Sequence, residues 1–262
     1  MNEYQPFHSE AWQGVRLNTF PLPEGCLDDW IERIHAIAER RYPSRCIASP
    51  TEDFPWFVKI LWGASDHDSW LNRLKWRLRP SRMLHTWRIS AEMEKEGFLC
   101  PKIQLAARRR SWCPLGWPTD LLVMSPVDGQ QLSKIIVEPN AAILLPQVAT
   151  ELARFHTAGF VHGDCIPGNL FLQDNGKLAF IDNDRTMRTH FGIFGKRTLA
   201  IRRNLVQFGF HLLQKSQVSR KQLEMFYMEY AASAHWTPRH INHELPRIWE
   251  WVDRRLANEP VR

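Results

Sequence analysis

The run Val161-His162-Gly163-Asp164-Cys165-Ile166-Pro167-Gly168-Asn169-Leu170-Phe171-Leu172-Gln173-Asp174-Asn175-Gly176-Lys177-Leu178-Ala179-Phe180-Ile181-Asp182 constrains the chain more than any other. Asn175-Gly176 stands between two apolar stretches, the strongest short-range signal for a β-hairpin. A two-residue turn there predicts that 174 faces 177, 172 faces 179 and 169 faces 182. Asn169 and Asp182 then emerge side by side at the open end of the hairpin. A carboxylate beside an amide oxygen suits a hard cation such as Mg²⁺ bridging phosphates. Asp164 lies five residues before Asn169, on the loop leading into the same hairpin, and adds a third oxygen-bearing side chain.

Other segments fix the fold class. Trp56-Phe57-Val58-Lys59-Ile60-Leu61-Trp62 follows Pro55 and reads as a buried strand interrupted by one lysine. A buried ammonium needs an anionic partner, and nucleotide phosphates would supply one. A basic helical stretch is expected up to Arg79, then a helix opened by Pro80-Ser81 and closed by Gly97. Strands are expected at 103–107 and 120–124, and helices at 28–41, 141–157, 198–214, 219–234 and 243–257, with the rest of residues 1–50 loop-rich. Short strands first and helices later indicate an α+β chain rather than a regular βαβ alternation. The expected division is an N-terminal extension and β-rich N-lobe over 1–124, a hinge at 125–129 (Ser-Pro-Val-Asp-Gly) and a mainly helical C-lobe over 130–262.

Charge and composition narrow the classes. The formal charge is +6, concentrated in two fields. Six basic residues and no acid lie between Asp68 and Glu92, and nine lie between Asp184 and Glu224. Such fields attract polyanions: nucleic acid, anionic lipid or a phosphorylated substrate. Trp70, Trp76 and Trp87 within the first field suit a membrane interface, although most of the 12 tryptophans are expected in the core. The five cysteines are scattered without a C-x-x-C pair, which argues against a disulfide framework or a zinc site. No apolar run is long enough to span a membrane, and the start lacks a secretory signal, so a cytoplasmic protein is expected.

Asp-x-x-x-x-Asn is also the spacing of the protein-kinase catalytic loop. The chain resembles the bacterial lipopolysaccharide core kinases (heptose and Kdo kinases), which have a protein-kinase-like fold. The resemblance is carried by F-V-K around Lys59, L-K-W-R-L-R-P-S-R-M-L-H-T-W from Leu74, E-G-F-L-C-P from Glu96, H-G-D-C-I-P-G-N-L-F-L, F-I-D-N-D-R from Phe180 and R-R-N-L from Arg202. It implies a bilobal α+β fold and an ATP- and Mg²⁺-dependent phosphotransferase. Lys59 would contact the ATP phosphates, Asp164 would be the catalytic base, and Asn169 and Asp182 would bind metal. The expected acceptor is a sugar hydroxyl of an anionic glycolipid or oligosaccharide, the lipopolysaccharide inner core, met by peripheral contact with the cytoplasmic face of the inner membrane. No nucleic-acid partner is expected.

Three positions depart from the kinase pattern. No glycine lies between Cys26 and Trp62, so a glycine-rich loop is absent and the 42–50 segment is the candidate source of phosphate-binding amides. Thr86 stands where the family has the glutamate that pairs with the strand lysine, with Glu92 or Glu94 as substitutes. Ile166 stands where many kinases have a basic residue. His162 is expected to brace the loop backbone, and Cys165 to pack as a small residue. The rival readings are a kinase of the same fold acting on a protein or small metabolite, and a non-catalytic pseudokinase that binds a partner.

Overall fold

The structure, a computed structural model, describes residues 3–9, 11–22, 27–37, 39–42, 45–52, 54–62, 78–109, 118–137, 140–189, 194–216 and 218–258. The chain forms two compact units: residues 1–91 with 101–126, and residues 92–100 with 127–262. The boundary falls inside one helix, so neither unit is a single stretch of sequence. The basic helical stretch expected before Arg79, with Trp70 and Trp76, lies largely outside the described residues.

The first unit is built on an antiparallel sheet of seven described strands. In chain order they are β1 (Tyr4–Ser9), β2 (Trp12–Leu17), β3 (Glu39–Tyr42), β4 (Arg45–Ala48), β5 (Phe57–Trp62), β6 (Ile103–Arg109) and β7 (Thr119–Met124). Across the sheet the order is β1-β2-β6-β7-β5-β4-β3. Residues 1–50 therefore hold four strands besides the expected helix, against the loop-rich expectation. The β1–β2 hairpin mixes Gln, His and Arg into its strands, which hides the alternation that would have revealed it. The helix expected over 28–41 is α1 (Leu27–Ile37), and the chain after it turns into β3.

The sheet is covered on both faces. Val58 and Ile60 of β5 point into one core with Trp12, Leu105 and Leu121. The alternate residue, Lys59, pairs with Leu122 of β7, whose own face packs on Met83 of helix α2 (Arg82–Lys95). Lys59 is thus 3% exposed in mid-sheet, as the apolar run predicts. Ser81 starts α2: its hydroxyl accepts from the Leu84 amide at 3.2 Å and donates to Asp120 at 2.8 Å. Asp120 also takes Arg108 Nε at 2.7 Å, so one buried carboxylate ties the helix start to β6 and β7. Gly97 at φ +75° ends α2 in a Schellman closure, with Phe98 N–H donating to Met93 O at 2.9 Å. Trp87 packs with its ring edge-on to Tyr4 at 5.8 Å within this unit.

The second unit is mainly helical. Its elements after the boundary are β8 (Gln130–Gln131), α3 (Leu132–Ile135), α4 (Ala141–Thr157), β9 (Phe160–Val161), β10 (Leu170–Leu172), β11 (Leu178–Phe180), β12 (Met187–Arg188), α5 (Phe194–Lys215), α6 (Arg220–Ser233) and α7 (Pro238–Asn258). Four phenylalanines form its centre. Phe155 stacks on Phe180 at 4.0 Å, and Phe98 meets Phe155 edge-on at 5.2 Å and Phe160 at 5.6 Å. Ser219 caps α6 in a reciprocal box with Gln222. Helix α7 begins at Pro238, before the expected residue 243, because Thr237 accepts from the His240 amide and Pro238 fits the first helical turn. No described helix is long and apolar enough to cross a membrane.

Candidate active site

The β10–β11 hairpin positions the site, but in a different register from the one a two-residue turn implies. Leu170 pairs with Phe180, Phe171 with Ala179 and Leu172 with Leu178. The loop is three residues, Asp174-Asn175-Gly176, closed by Gly176 N–H to Gln173 O at 2.9 Å and Gln173 N–H to Lys177 O at 3.0 Å. A two-residue I′ turn would need positive φ at both Asn175 and Gly176. Here only Gly176 has it, at +78°, while the Asn175 side chain accepts from the Lys177 amide at 3.0 Å. In consequence Asn169 is joined to residue 181, through Ile181 N–H to Asn169 O at 3.0 Å, and Asp182 follows one residue beyond. The two remain neighbours along the hairpin's open end, offset rather than directly opposed.

Asp182 has φ 58° and ψ 47°, a left-handed conformation uncommon for a residue with a side chain. The turn after it is held by Asn183, 2% exposed, whose amide donates to Phe180 O at 2.9 Å and accepts from Thr186 Oγ1 at 3.1 Å. Gly163 lies against the same turn. A Cβ there would collide with Arg185 Cβ and stand 2.5 Å from the Arg185 carbonyl oxygen, so the loop can pass only as glycine.

The loop carrying Asp164 is fixed from three sides. Asn169 Nδ2 donates to the Asp164 carbonyl at 2.9 Å and to carboxylate Oδ2 at 3.2 Å, so the residues five apart are in direct contact. His162 is fully buried and neutral: Nδ1 accepts the Asp164 amide at 3.1 Å, leaving Nε2–H to donate to Ile181 O at 2.9 Å. Burial holds its pKa below the ordinary value, against the opposing hydrogen bond to Ile181 and the Asp182 and Asp164 charges. It therefore braces the loop to the hairpin, as the sequence predicts. Cys165 is buried, and desolvation pushes its thiol pKa up, so packing is its role.

Sequence reasoning missed the residues that hold this loop from α5. Asn204 is 5% exposed. Its Nδ2 donates to His162 O at 2.6 Å and its Oδ1 accepts from His162 N–H at 3.0 Å and from His156 Nε2 at 3.2 Å. His156 in turn accepts from Tyr230 OH at 2.7 Å through Nδ1. Gln207, one helical turn on, donates to Asp164 Oδ1. Two amides three residues apart inside the apolar run Leu205-Val206-x-Phe208 were the available signal.

The remaining expected residues fall as follows. Lys59 belongs to the first unit, on β5. Thr86 is 4% exposed and donates to Arg82 O at 2.9 Å within its own helix. Glu92 faces Arg188 at 3.7 Å, and Glu96 meets the same guanidinium at 2.5 Å. Ile166 is half-buried and its amide donates to Asp164 O at 3.0 Å. The second basic field is contiguous in sequence but divided in space. Arg197 caps the end of α4 through the His156 and Thr157 carbonyls, Arg202 forms a forked pair with Glu244, and Arg220 one with Asp253. With Arg188 these account for four of its nine cations.

A family model described as lipopolysaccharide kinase (Kdo/WaaP) family matches residues 39–230 of the chain. No curated protein matches the sequence. Among solved structures, one titled WaaP in complex with acyl carrier protein superposes with a TM-score of 0.59 at 17% identity, over 88% of this chain and 92% of that one. A crystal structure of WbdD gives 0.46 at 15% identity, over 82% of this chain and 49% of that one. A Rio2 kinase complex from Chaetomium thermophilum gives 0.41 at 17% identity, over 97% and 82%. The fold is kinase-like, with a β-sheet N-terminal region and a helical C-terminal region.

Proposed function

The chain belongs to the lipopolysaccharide kinase (Kdo/WaaP) family, and from that premise we propose that it transfers the γ-phosphoryl group of Mg-ATP to a sugar hydroxyl of the lipopolysaccharide inner core. The observation that carries the reading is the contact of Asn169 with the Asp164 carboxylate beside the hairpin end where Asp182 emerges. In the reaction the Asp164 carboxylate orients the acceptor hydroxyl and takes its proton. The acceptor oxygen bonds to the γ-phosphorus, the β–γ bridging P–O bond breaks, and ADP leaves. Asn169 spends its Nδ2 on Asp164, which leaves Oδ1 as an acceptor, and Asp182 follows directly after Ile181, whose amide bonds the Asn169 carbonyl. One amide oxygen and one carboxylate are a hard-oxygen donor set that fits Mg²⁺, which when bound there supplies charge neutralisation to the polyphosphate. Lys59 is assigned to the phosphates, and the β3–β4 hairpin just before β5 is the candidate for the amides that a glycine-rich loop would otherwise provide.

The test is the thermal midpoint of the purified chain with and without Mg-ATP, for wild type and Asp182→Asn. Nucleotide at a hundredfold over Kd stabilises by about 2.7 kcal/mol, which raises the midpoint by roughly 5–10 °C in a chain of this size. The rise should need magnesium and be lost in the variant. Phosphate transfer from radiolabelled ATP to inner-core oligosaccharide then identifies the acceptor class. A midpoint unmoved by saturating Mg-ATP would overturn the reading in favour of a non-catalytic binding module. For peripheral membrane contact, the exposed cations left after internal pairing among the described residues of the second basic field are Arg185, Arg203, Lys215 and Lys221. Flotation with anionic but not neutral liposomes, weakened by salt, is the expected result.

A further inference from the structure

We infer that Gln207 is a positioning residue for the phosphoryl-transfer step: its side-chain amide fixes the plane of the Asp164 carboxylate. The inference rests on the assignment of Asp164 as the base. Among the described residues each oxygen of that carboxylate has one amide donor, Asn169 Nδ2 on Oδ2 and Gln207 Nε2 on Oδ1. The two donors come from independently anchored elements. Asn169 closes a turn of 3₁₀ helix, Pro167–Asn169, that leads into β10. Gln207 sits on the 22-residue helix α5, three residues after Asn204, so both amides share one face.

That face addresses the catalytic loop at two levels. Asn204 grips the backbone of His162 through both its N–H and its C=O, and Gln207 grips the side chain two residues later. A carboxylate turns easily about its terminal torsion, whose preference is broad. A single donor on Oδ2 leaves that rotation open; a second on Oδ1 closes it. The orientation a base needs toward an incoming hydroxyl is thus set before the acceptor arrives, which is where positioning contributes to rate.

The test uses the full chain with Mg-ATP and inner-core oligosaccharide in steady state. Gln207→Leu keeps the length and removes the donor; Gln207→Glu keeps the shape and offers only acceptors. Both should lower kcat by about 10- to 100-fold with the KM for ATP within about twofold of wild type. Gln207→Arg, which restores an N–H donor, should hold kcat within about threefold of wild type. Loss of kcat, KM and melting midpoint together in the Leu and Glu variants, or an unchanged kcat, would overturn the inference. A second readout needs no turnover. In ¹H–¹⁵N spectra the Gln207 side-chain amide pair should shift and lose protection from exchange in Asp164→Ala. An amide pair that does not move refutes the contact. If wild type transfers no phosphate, the functional reading and the inference resting on it both fail, whereas an intact reading with an unmoved amide pair sinks the inference alone.

Discussion

Asn204→Ala tests whether α5 holds the loop that carries Asp164, and its cost can be worked from the structure. The truncation removes one donor and one acceptor and orphans three groups: the His162 C=O, the His162 N–H and the His156 Nε2–H. His162 is fully buried and His156 is 1% exposed, so water reaches these groups only through the space the lost amide leaves. An orphaned buried polar group costs about 1–3 kcal/mol, and members of one network are less than additive. The expected loss is about 3–5 kcal/mol, or a midpoint lower by roughly 6–20 °C. Tyr230→Phe removes a single bond at the far side of His156 and should cost about 1–2 kcal/mol. Urea denaturation of the three proteins, with unchanged m-values, measures both. kcat should fall in Asn204→Ala and persist in Tyr230→Phe, because only the first loosens the backbone beside Asp164. A cost below about 1 kcal/mol for Asn204→Ala, or equal costs for the two variants, would refute the reasoning.

Other outcomes follow from the same geometry. Burial lowers the His156 pKa from 6.5 to about 4, so the unfolded chain binds the extra proton first. Stability from this group is complete above pH 6.5 and is lost as pH falls toward 4, by about 3 kcal/mol, a slope that His156→Gln should flatten in pH-dependent denaturation. Glu244→Ala should cost about 3–5 kcal/mol in urea denaturation, because it strands the Arg202 guanidinium, only 13% exposed, without its forked partner. Gly163→Ala must push the Asp164 loop off Arg185 and should cost about 1–3 kcal/mol with, on the proposed function, a larger proportional loss of phosphate transfer. Lys59→Met should abolish most of the Mg-ATP shift in midpoint while leaving the unliganded midpoint within a few degrees of wild type, read by differential scanning fluorimetry.

The second unit was more legible in the sequence than the first, for physical reasons. Its helices announce themselves by long apolar periodicity and by a cap such as Ser219, and its hairpin by Asn175-Gly176. Dipeptide chemistry shows that a chain turns but not how many residues the turn takes. Whether Asn175 adopts positive φ or merely bonds its own backbone depends on the packing of both strands, and the register moved by one residue on that choice. The β1–β2 hairpin was invisible because its polar strands carry little alternation. The oxygen-bearing residues of the site lie close in sequence and so could be read together. Asn204 and Gln207 act across about forty residues of chain, and nothing local in Arg202-Arg203-Asn204-Leu205 shows what they face. The basic field misleads in the opposite sense: a charge run records adjacency along the chain, whereas the carboxylates and carbonyls that engage Arg188, Arg202, Arg197 and Arg220 arrive from elsewhere.

The Schellman turn at Gly97 sends Phe98 into the aromatic centre of the second unit, although its flanking sequence on both sides belongs to the first. A ribosome therefore releases one stone of this arch long before the others: Phe98 emerges some sixty residues ahead of Phe155 and must wait for it. A fragment beginning at Val127 would carry Phe155, Phe160 and Phe180 with a gap where the fourth ring belongs, a loss of about 2–3 kcal/mol of apolar burial before any catalytic group is touched. The two units are separate as packed objects and interleaved as stretches of message, so the gene offers no single cut that would deliver the helical half intact.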